Sequence, residues 1–584
     1  MVNRVSSTLD LRFNGKFDKD ISLLFNQISN ESRVSFNDIV SVLSELHINS
    51  IDWWVEGPAS RNIGSSPFFH RYCCLFLVIS LIDDGKFKYE EVIVDSKEFG
   101  DIIEQILADK GVIDTTVRYE TKNNYFKRNI VKRFFLIPVL FCKVSIRFLL
   151  ARVTRHLSIH RIPQEPLVLI DTFMLPAYTN KDRWYGSLWD NLSEDQRKLV
   201  YFVPTIVMTP VTALLGVYKR LRRNERNFLV KEDYLTVSDI FFAFQVRRRL
   251  KRLVVVAPLK VSGYDLSEMV KSELLNNRDI LTVIESLLTY RFIKRLSMQG
   301  IKVRLCIDWF EGQVIDKAWN FAFKKYLPST KRIGFRAFES YPFYLCSYPI
   351  PIEKKAGVIP DVFAVQGKGT IATVKEFLKD ADVIVVPSFR SQHVWDNVSL
   401  SFQAKTEDQT FTILVTLPIG IQTANNIIKQ LVNVSDSISH KSRHVQYILK
   451  LHPACKVNAE FNRLISQMPD SLLLTDEKSF PILIKNTDLL VSEASSTCLE
   501  ALACGVPVIV IHNEEGLTHN PMPESIPEHL YMNVRSAEQL IFALNFYINS
   551  PSYKMEDQRS YGKWVRENYF ELVTPEGVNK LLYV

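Results

Sequence analysis

Short apolar runs of the length of a β-strand alternate with amphipathic stretches along much of the chain. In the N-terminal region, Val92–Val94 predicts a strand. The stretch after it repeats apolar residues at the spacing of one helix face, namely Phe99, Ile102, Ile103 and Ile106. The pattern therefore predicts a βα unit within residues 1–120.

Two further apolar runs end at acidic residues in the middle of the chain. The run PLVLIDTF predicts a short strand that ends at Asp171, and Val303–Ile307 predicts a buried strand that leads into Asp308 and Glu311. Amphipathic stretches, including Leu281–Gln299, predict helices between them. Because open α/β sheets place ligand-binding groups at the carboxyl ends of their strands, these acidic residues are candidates for chemistry.

The C-terminal part of the chain shows the most regular pattern. Strand-like runs occur in ADVIVVPS, TFTILVTLP, VQYILKLHP, TDLLVSEASS and GVPVIVIHN, and amphipathic stretches separate most of them. Strands that alternate with helices predict a parallel, doubly wound sheet, which is expected to begin at Ala381. A cluster of prolines, Pro349, Pro351 and Pro360, favours a domain boundary near residue 350.

These patterns predict an α/β fold with two Rossmann-like domains that face a central cleft. The expected division is an N-terminal βα region at 1–120 that belongs to or packs on the first domain, a basic amphipathic segment at 121–164, a first Rossmann-like domain at 165–350, a second at 351–530, and C-terminal helices at 531–584 that cross back to the first domain. A chain of 584 residues, 47% of them hydrophobic, is long enough for this arrangement.

Positive charge is concentrated in one segment. No Asp or Glu occurs from Thr121 to Gln164, whereas ten Lys or Arg residues do: Lys122, Lys127, Arg128, Lys132, Arg133, Lys143, Arg147, Arg152, Arg155 and Arg161. Because apolar residues are interleaved with them, the segment suits the headgroup region of an anionic membrane, which is the interpretation that we favour. The alternatives are a packing helix with a solvated basic face and a nucleic-acid-binding helix, and we expect no nucleic-acid partner.

A second uncharged run, Leu199–Tyr218, has the length of a membrane span, since about 20 apolar residues cross a bilayer. Pro204 and Pro210 inside it favour instead a buried strand, a turn and a short helix.

The eight cysteines form no metal-binding CxxC pair, which is typical of reduced core residues, and the N-terminus lacks the apolar stretch of a secretory signal. We therefore expect a cytoplasmic protein that is peripheral on the inner face of the cytoplasmic membrane.

The most specific pattern follows the strand-like run Leu489–Val491. Three hydroxyl-bearing residues, Ser495, Ser496 and Thr497, are expected to open a helix there. Hydroxyls and free N–H groups at a helix N-terminus, where the dipole is positive, suit a phosphate. Helix capping by Ser495 or Ser496 is the simpler explanation, but it does not account for the Glu and the Gly-Val-Pro sequence that follow at these spacings.

The sequence Lys450-Leu451-His452-Pro453 ends another strand of the same predicted sheet, so both strand ends emerge at one edge. His452 is suited there to hold or protonate a departing phosphate, and Pro453 fixes the backbone after it.

A carboxylate that acts as a general base is expected from the opposite domain. Glu311 is the first candidate and Asp171 the second, both because of their predicted strand-end positions. Asp171 could equally cap the loop that follows it, and Asp308 could pair with a nearby Arg.

LKLHP followed by SEASSTCLEALACGVPVIV resembles the C-terminal domain of GT-B glycosyltransferases that build bacterial surface polysaccharides. WFEGQVIDKAWNFAFKKYLPSTKRIGF resembles a stretch of surface-carbohydrate or O-antigen proteins, in which an acidic residue precedes a helix and a GYQH-like strand. The present chain reads GFRAFES there, so the aromatic-Gln-His ending of that group is absent.

The HP pair and the two serines are also similar to those of enzymes with cytidine donors, namely sialyltransferases, capsule Kdo transferases and teichoic-acid glycerophosphotransferases. That resemblance implies that His452, Ser495 and Ser496 hold the donor phosphate and that Glu311 is the base.

The resemblance implies a glycosyltransferase that moves a sugar from a nucleotide-activated donor onto a growing cell-surface polysaccharide or lipid-linked glycan. Such transfers occur in O-antigen, lipopolysaccharide or capsule synthesis. The donor that the resemblance favours is a CMP-linked acidic sugar. A GT-B nucleotide-sugar epimerase and a non-catalytic scaffold of a polysaccharide assembly complex are the alternatives.

The acceptor is expected to enter across the aromatic loop at Trp184-Tyr185. The expected donor-binding residues are Lys450, His452, Pro453, Ser495, Ser496, Thr497 and Glu500. No convincing DxD motif is present, so we expect neither a metal nor a cofactor.

Overall fold

The computed structural model describes the chain except at residues 1–6, 14, 121–122, 161, 181, 254–257, 276–278, 397–409, 436–443, 453–454, 470, 478, 494, 514, 528–529, 550–551 and 584. At 123–135, 435 and 552–559 it describes the backbone but not the side chains.

The N-terminal extension is a small layer of helices on a short parallel sheet with the strand order β1-β2-β3. Its elements are β1 (Thr8–Asp10), α1 (Lys19–Glu45), α2 (Ile51–Trp54), α3 (Gly57–Ser60), α4 (Phe68–Asp83), β2 (Glu91–Val94), α5 (Lys97–Asp109) and β3 (Thr116–Tyr119). The βα unit expected in this region is present as β2 and α5. Its helix begins where the Ser96 hydroxyl accepts a hydrogen bond from the Phe99 N–H.

The first Rossmann-like domain surrounds a parallel sheet with the order β11-β10-β9-β8-β4-β5. Its elements are α6 (Asn123–Thr154), β4 (Leu167–Met174), α7 (Glu194–Leu199), β5 (Val200–Ile206), α8 (Val211–Arg222), α9 (Val237–Phe244), α10 (Val246–Leu250), β6 (Lys260–Val261), β7 (Tyr264–Asp265), α11 (Ser267–Leu275), α12 (Ile280–Met298), β8 (Val303–Trp309), α13 (Val314–Tyr326), β9 (Lys331–Arg336), α14 (Pro351–Ala356), β10 (Val362–Val365), α15 (Ile371–Val374) and β11 (Val383–Val385).

Both faces of the first sheet are covered, as expected for a parallel sheet. On β4, Leu167 and Leu169 pack against the N-terminal extension and α12, whereas Val168 and Ile170 pack on the opposite face with residues of α8. Alternate residues of a strand therefore face different helical layers.

The second Rossmann-like domain surrounds a parallel sheet with the order β14-β13-β12-β15-β16-β17. Its elements are α16 (His393–Asp396), β12 (Phe411–Thr416), α17 (Ile421–Ser435), β13 (Val445–Lys450), α18 (Ala459–Ser466), β14 (Leu472–Leu474), α19 (Phe480–Leu483), β15 (Leu489–Ser492), α20 (Thr497–Ala503), β16 (Val508–Ile511), β17 (Tyr531–Val534), α21 (Ala537–Ile548), α22 (Ser552–Tyr569) and α23 (Pro575–Leu582). The order of strands reverses between β12 and β15, which makes this point the topological switch of the sheet.

The boundary expected near residue 350 has to move. Strands β10 and β11 lie beyond it, yet they pair in parallel with β9 and extend the first sheet. The prolines that suggested a linker belong to an ordinary connection between elements, because Pro351 opens the short helix α14 and Pro360 precedes β10. The first sheet thus continues to residue 385, and the second begins with β12 at residue 411.

The last helix of the chain returns to the first domain. Val578, Leu581 and Leu582 of α23 are buried in the core that covers one face of the first sheet. The Arg304 guanidinium also donates a hydrogen bond to the Leu582 carbonyl over 2.8 Å. Two Rossmann-like domains with such a returning C-terminal helix form the GT-B architecture.

Within the basic segment, one arginine has a structural role. The Arg147 side chain is 5% exposed and lies 2.6 Å from the Glu232 carboxylate, and it also pairs with the Glu285 carboxylate. Two buried carboxylates require such a cation, so Arg147 does not face a lipid surface. Lys122 and Arg161, and the side chains of Lys127, Arg128, Lys132 and Arg133, lie outside the described part of the chain.

The run Leu199–Tyr218 forms strand β5, a turn and the first part of α8, as predicted from its prolines. Among the helices of the described residues, none combines the length and apolar character needed to cross a bilayer.

Candidate functional site in the interdomain cleft

The carboxyl ends of strands from both sheets meet across the cleft between the domains. The loop after β4 contributes Arg183, the segment after β11 contributes Arg390, and the end of β13 contributes Lys450 and His452. We call these four residues the cation cluster, because Arg183, Arg390 and Lys450 are basic and His452 lies among them. The charge of Arg183 affects the pKa values of both Lys450 and His452, so groups from the two domains act on each other.

Burial and like charge shape the cluster electrostatically. Burial, together with the charges of Arg183, Lys450 and Arg390, lowers the pKa of His452 to about 4. Burial and Arg183 likewise lower the pKa of Lys450, although Glu477 and Glu500 oppose them. His452 is therefore neutral at neutral pH, and an anion placed among these groups would relieve their mutual repulsion.

A close approach of two backbone segments brings Arg183 and Arg390 together. Gly186 has a φ of 47°, and a Cβ atom there would lie 2.1 Å from the Phe389 carbonyl oxygen. The Ser187 N–H also donates to that oxygen over 3.3 Å. Only glycine fits at position 186, so the glycine lets the Arg183 loop lie against the segment that carries Arg390.

The three hydroxyls after β15 lie at the start of α20 and are partly exposed. Ser495 Oγ and Thr497 Oγ1 are 2.7 Å apart, and the Thr497 N–H donates to Ser495 Oγ over 3.3 Å. The side chain of Ser496, which precedes the helix, makes no capping hydrogen bond. Capping therefore involves Ser495 and leaves the Ser496 hydroxyl available.

Glu500 has a partner that the sequence did not indicate. His393 Nε2 lies 3.1 Å from Glu500 Oε2, and both side chains are largely buried. Burial acts to raise the pKa of Glu500, but His393, Arg390 and Lys450 outweigh it and lower that pKa. Glu500 thus contributes a negative charge beside the cation cluster.

Pro453 lies outside the described residues. Lys450 and His452 stand where the sequence placed them, at the carboxyl end of β13, and β12 separates that strand from β15.

Glu311 lies just after β8 and is partly exposed at the cleft. Its Oε1 accepts a 2.8 Å hydrogen bond from Trp309 Nε1, and its Oε2 accepts one from Gln313 Nε2. Burial first, and then the charges of groups that include Glu311 and Glu493, raise the pKa of Tyr341. Tyr341 therefore lies between Glu311 and the end of β15, which places Glu311 opposite the second domain.

The turn that presents Glu311 depends on a glycine. Gly312 has a φ of 73°, and a Cβ atom at this position would lie 1.8 Å from the Cys346 carbonyl oxygen. The N–H groups of Glu311 and Gln313 donate to Asp316 Oδ2 over 2.9 and 3.0 Å. The backbone of Glu311 is thus fixed from two sides.

Asp171 is not at a strand end. Strand β4 continues to Met174, and the Asp171 side chain is 3% exposed on the face that packs against α12. Burial raises its pKa to about 6, although Lys231 and Thr205 act to lower it. Asp308 occupies the neighbouring position on β8, and burial and Asp171 raise its pKa. The structure therefore separates the two candidate bases, and of the two only Glu311 borders the cleft.

The aromatic loop differs from its expected role in part. Tyr185 is fully buried and stacks on Phe335 with ring centroids 5.3 Å apart, so it belongs to the core of the first domain. Trp184 is partly exposed beside Arg183. Of these two aromatic residues, only Trp184 is accessible at the surface.

Among the residues that the structure describes, no group of three or more His, Cys, Asp or Glu side chains is arranged to hold a metal ion. Metal independence stays a prediction.

Three residues of the site were missed in the sequence, namely Arg183, Arg390 and His393. Arg183 stands in a loop after a predicted strand, which was a usable signal. Arg390 and His393 follow a strand that the sequence pattern had assigned to the second domain, so no reason existed to place them opposite Lys450 and His452.

No protein-family model matches the chain, and no curated protein matches it in sequence. The UDP co-structure of S. aureus MnaA is similar at 12% identity, over 72% of this chain and 95% of that chain, with a TM-score of 0.41. UDP-GlcNAc 2-epimerase from Neisseria meningitidis, bound to UDP-GlcNAc, is similar at 12% identity over 71% and 99%, with a TM-score of 0.42. MurG of Acinetobacter baumannii is similar at 10% identity over 72% and 100%, with a TM-score of 0.37.

The burial of Asp171 predicts that the free energy of unfolding falls as the pH rises. Because its folded pKa of about 6 exceeds the unfolded value of about 4, the group favours folding fully below pH 4, and this contribution is lost as the pH rises through 6. Asp171→Asn should therefore gain stability relative to the wild type by roughly 3 kcal/mol between pH 4 and pH 7. Urea unfolding at intervals across this range checks the prediction, and a difference that does not change with pH would contradict it.

Proposed function

We propose that the protein is a glycosyltransferase that binds a nucleotide-activated sugar by its phosphate and transfers the sugar to a hydroxyl group of a glycan. The observation that carries this proposal is the cation cluster, in which Arg183 of one domain acts on Lys450 and His452 of the other. Partly buried basic side chains whose pKa values are lowered by burial and by neighbouring positive charge are a suitable site for a phosphate. Glu311 borders the same cleft.

The two sides of the cleft would have different roles in the reaction. The cation cluster and the hydroxyls of Ser495, Ser496 and Thr497 would stabilise the negative charge that develops on the departing phosphate. Glu311 would accept the proton of the acceptor hydroxyl, oriented by hydrogen bonds from Trp309 and Gln313. Because fixed cations supply the charge stabilisation, transfer should not require a metal ion.

A CMP-linked acidic sugar is the donor that we favour. Such a donor carries its sugar carboxylate next to the phosphate, and the two anionic groups match a site with several cationic side chains. An acceptor on a cell-surface polysaccharide or lipid-linked glycan agrees with the open position of Glu311. An epimerase would need no acceptor, and a scaffold would bind no nucleotide.

Membrane attachment through α6 and α8 is a further part of the proposal. These helices pack along each other and expose Leu149, Val153, Val211 and Leu215. Exposed basic residues, Arg155, Lys219 and Arg223 among them, lie in or directly after the same two helices. Neither residues 121–164 nor residues 196–224 contain an Asp or Glu, so this surface complements an anionic bilayer. It would hold the enzyme at the inner face of the cytoplasmic membrane.

Variants of the two sides should affect transfer in different ways. Glu311→Gln should lower turnover by roughly 10²- to 10⁴-fold, the usual effect of a lost general base, while nucleotide binding stays intact. His452→Ala and Lys450→Met should weaken the binding of nucleotides as well. Nucleotide release from CMP-, UDP-, GDP- and dTDP-sugars, measured by chromatography with and without glycan acceptors and with and without EDTA, checks both effects.

Glu538→Gln, an exposed position on α21, is the matched control and should transfer normally. Near-normal turnover of both Glu311→Gln and His452→Ala would refute the assignment. An epimerised nucleotide sugar formed without acceptor would favour the epimerase, and a thermal-shift screen in which no nucleotide stabilises the protein would favour the scaffold.

The membrane surface is tested by sedimentation with vesicles of phosphatidylglycerol and phosphatidylcholine. Leu149→Glu and Val153→Glu should each lower the bound fraction, because they remove apolar contact and introduce a charge that anionic lipid repels. Phe542→Glu changes an exposed apolar residue of the second domain and serves as the control. Equal binding of all these variants would contradict the proposal.

A further inference from the structure

A cavity of about 170 Å³, which residues of mostly polar type line, lies in the second domain beside the end of β15. Its walls come from α17, from Glu493 after β15, and from the segment after β16 that includes His512 and Asn513. The cavity therefore borders the topological switch between β12 and β15, where open α/β sheets bind their ligands. Glu493 stands two residues before Ser495, so the cavity adjoins the hydroxyl side of the cleft.

Uncharged polar side chains of α17 form one side of the cavity wall. Helix α17 contributes Thr423, Asn426, Gln430 and Asn433, spaced so that they share one face of the helix. Amide and hydroxyl groups both donate and accept hydrogen bonds. A ligand that carries several hydroxyl or amide groups would find complementary partners along this face.

Two charged residues of the wall, Lys429 and Glu515, are already paired elsewhere. Lys429 lies 2.6 Å from the Glu460 carboxylate, and Glu515 pairs with Lys16 of the N-terminal extension. The cavity thus offers no unpaired cation for a phosphate. The anionic part of a donor belongs in the cation cluster, and an uncharged part fits the cavity.

Among the residues of the cavity wall, Glu493 gives the clearest indication of a ligand-binding site. Its side chain is 9% exposed and lines the cavity, and among the described residues no side-chain or backbone group contributes a hydrogen bond to the pKa shift of its carboxyl group. Burial raises its pKa to about 7. A buried carboxyl group without a partner is costly, and a ligand hydroxyl in the cavity would satisfy it.

The N-terminal extension holds the outer rim of the cavity in place. The Phe17 N–H donates to the Glu515 carbonyl over 3.0 Å, and Ser22 and Asn26 both donate to the Gly516 carbonyl. The Asn26 side chain also accepts from the Thr518 N–H over 2.8 Å. A rim fixed by four such bonds is a prepared wall rather than a loose loop.

We propose that this cavity binds the uncharged, hydroxyl-bearing part of a sugar, with Glu493 and Asn426 as hydrogen-bonding residues. The inference rests on the proposed function in that the bound sugar would be the one attached to the nucleotide. The phosphate would then lie at Ser495 and the cation cluster, and the sugar would extend toward Glu493.

Saturation-transfer difference NMR on the full chain tests the cavity without a nucleotide. The probes are N-acetylglucosamine, galactose and N-acetylneuraminic acid at millimolar concentration. We expect saturation transfer to at least one of them. Glu493→Leu and Asn426→Leu, which remove hydrogen-bonding groups at similar size, should each reduce it roughly fivefold or more. Asn549→Leu, on an exposed position at the end of α21, should leave it unchanged.

Circular dichroism confirms that each variant is folded, and Asn426→Leu on a helix surface keeps the test valid if Glu493→Leu does not fold. No transfer to any of the three sugars, or equal transfer in wild type, Glu493→Leu and Asn426→Leu, would overturn the inference. A separate titration with CMP and UDP distinguishes the two proposals. Sugar binding in the cavity with no binding of either nucleotide contradicts only the proposed function, and nucleotide binding without sugar binding contradicts only the cavity.

Discussion

Repulsion among the partly buried basic side chains of Arg183, Arg390 and Lys450 is the interaction on which the rest of the site depends. Burial and Arg390 lower the pKa of Arg183, and burial and Arg183 lower the pKa values of Lys450 and His452 in the other domain. Arg183 and Arg390 are further constrained by the contact of Gly186 with the Phe389 backbone. Such an arrangement lowers the stability of the free protein and is relieved when an anion binds, which is the physical reason for regarding the cleft as a phosphate site.

The rest of the fold keeps that arrangement in place. The C-terminal helix α23 returns to the core of the first domain, and the N-terminal extension reaches the loop after β16 of the second. The two domains are therefore tied together at both ends of the chain. This connection lets Glu311 on one side and the hydroxyls after β15 on the other border one cleft, and it gives the neighbouring cavity a fixed rim.

Much of the fold follows from the sequence pattern, because strands of a parallel sheet are continuous apolar runs and the helices between them are amphipathic. The motifs at Lys450 to His452 and at Ser495 to Thr497 were locatable for the same reason. Asp171 was misplaced because an apolar run that continues past an acidic residue looks like a strand end. The positions of Arg390 and His393, which follow a strand of the first sheet and face the second domain, could not be predicted. The order of strands in a sheet is a tertiary property that the local sequence pattern does not contain.

The titration of His452 reports on whether the cleft binds a phosphate. In protein labelled with ¹³C-histidine, and with the His452 signal assigned through His452→Gln, the free protein should show a pKa of about 4. A saturating nucleotide such as CMP should raise that pKa by more than about one unit, because its phosphate offsets the charges of Arg183, Lys450 and Arg390. A His452 that titrates near its ordinary value of about 6.5, and does so equally with and without CMP, UDP, GDP or dTDP, would contradict a phosphate site in this cleft.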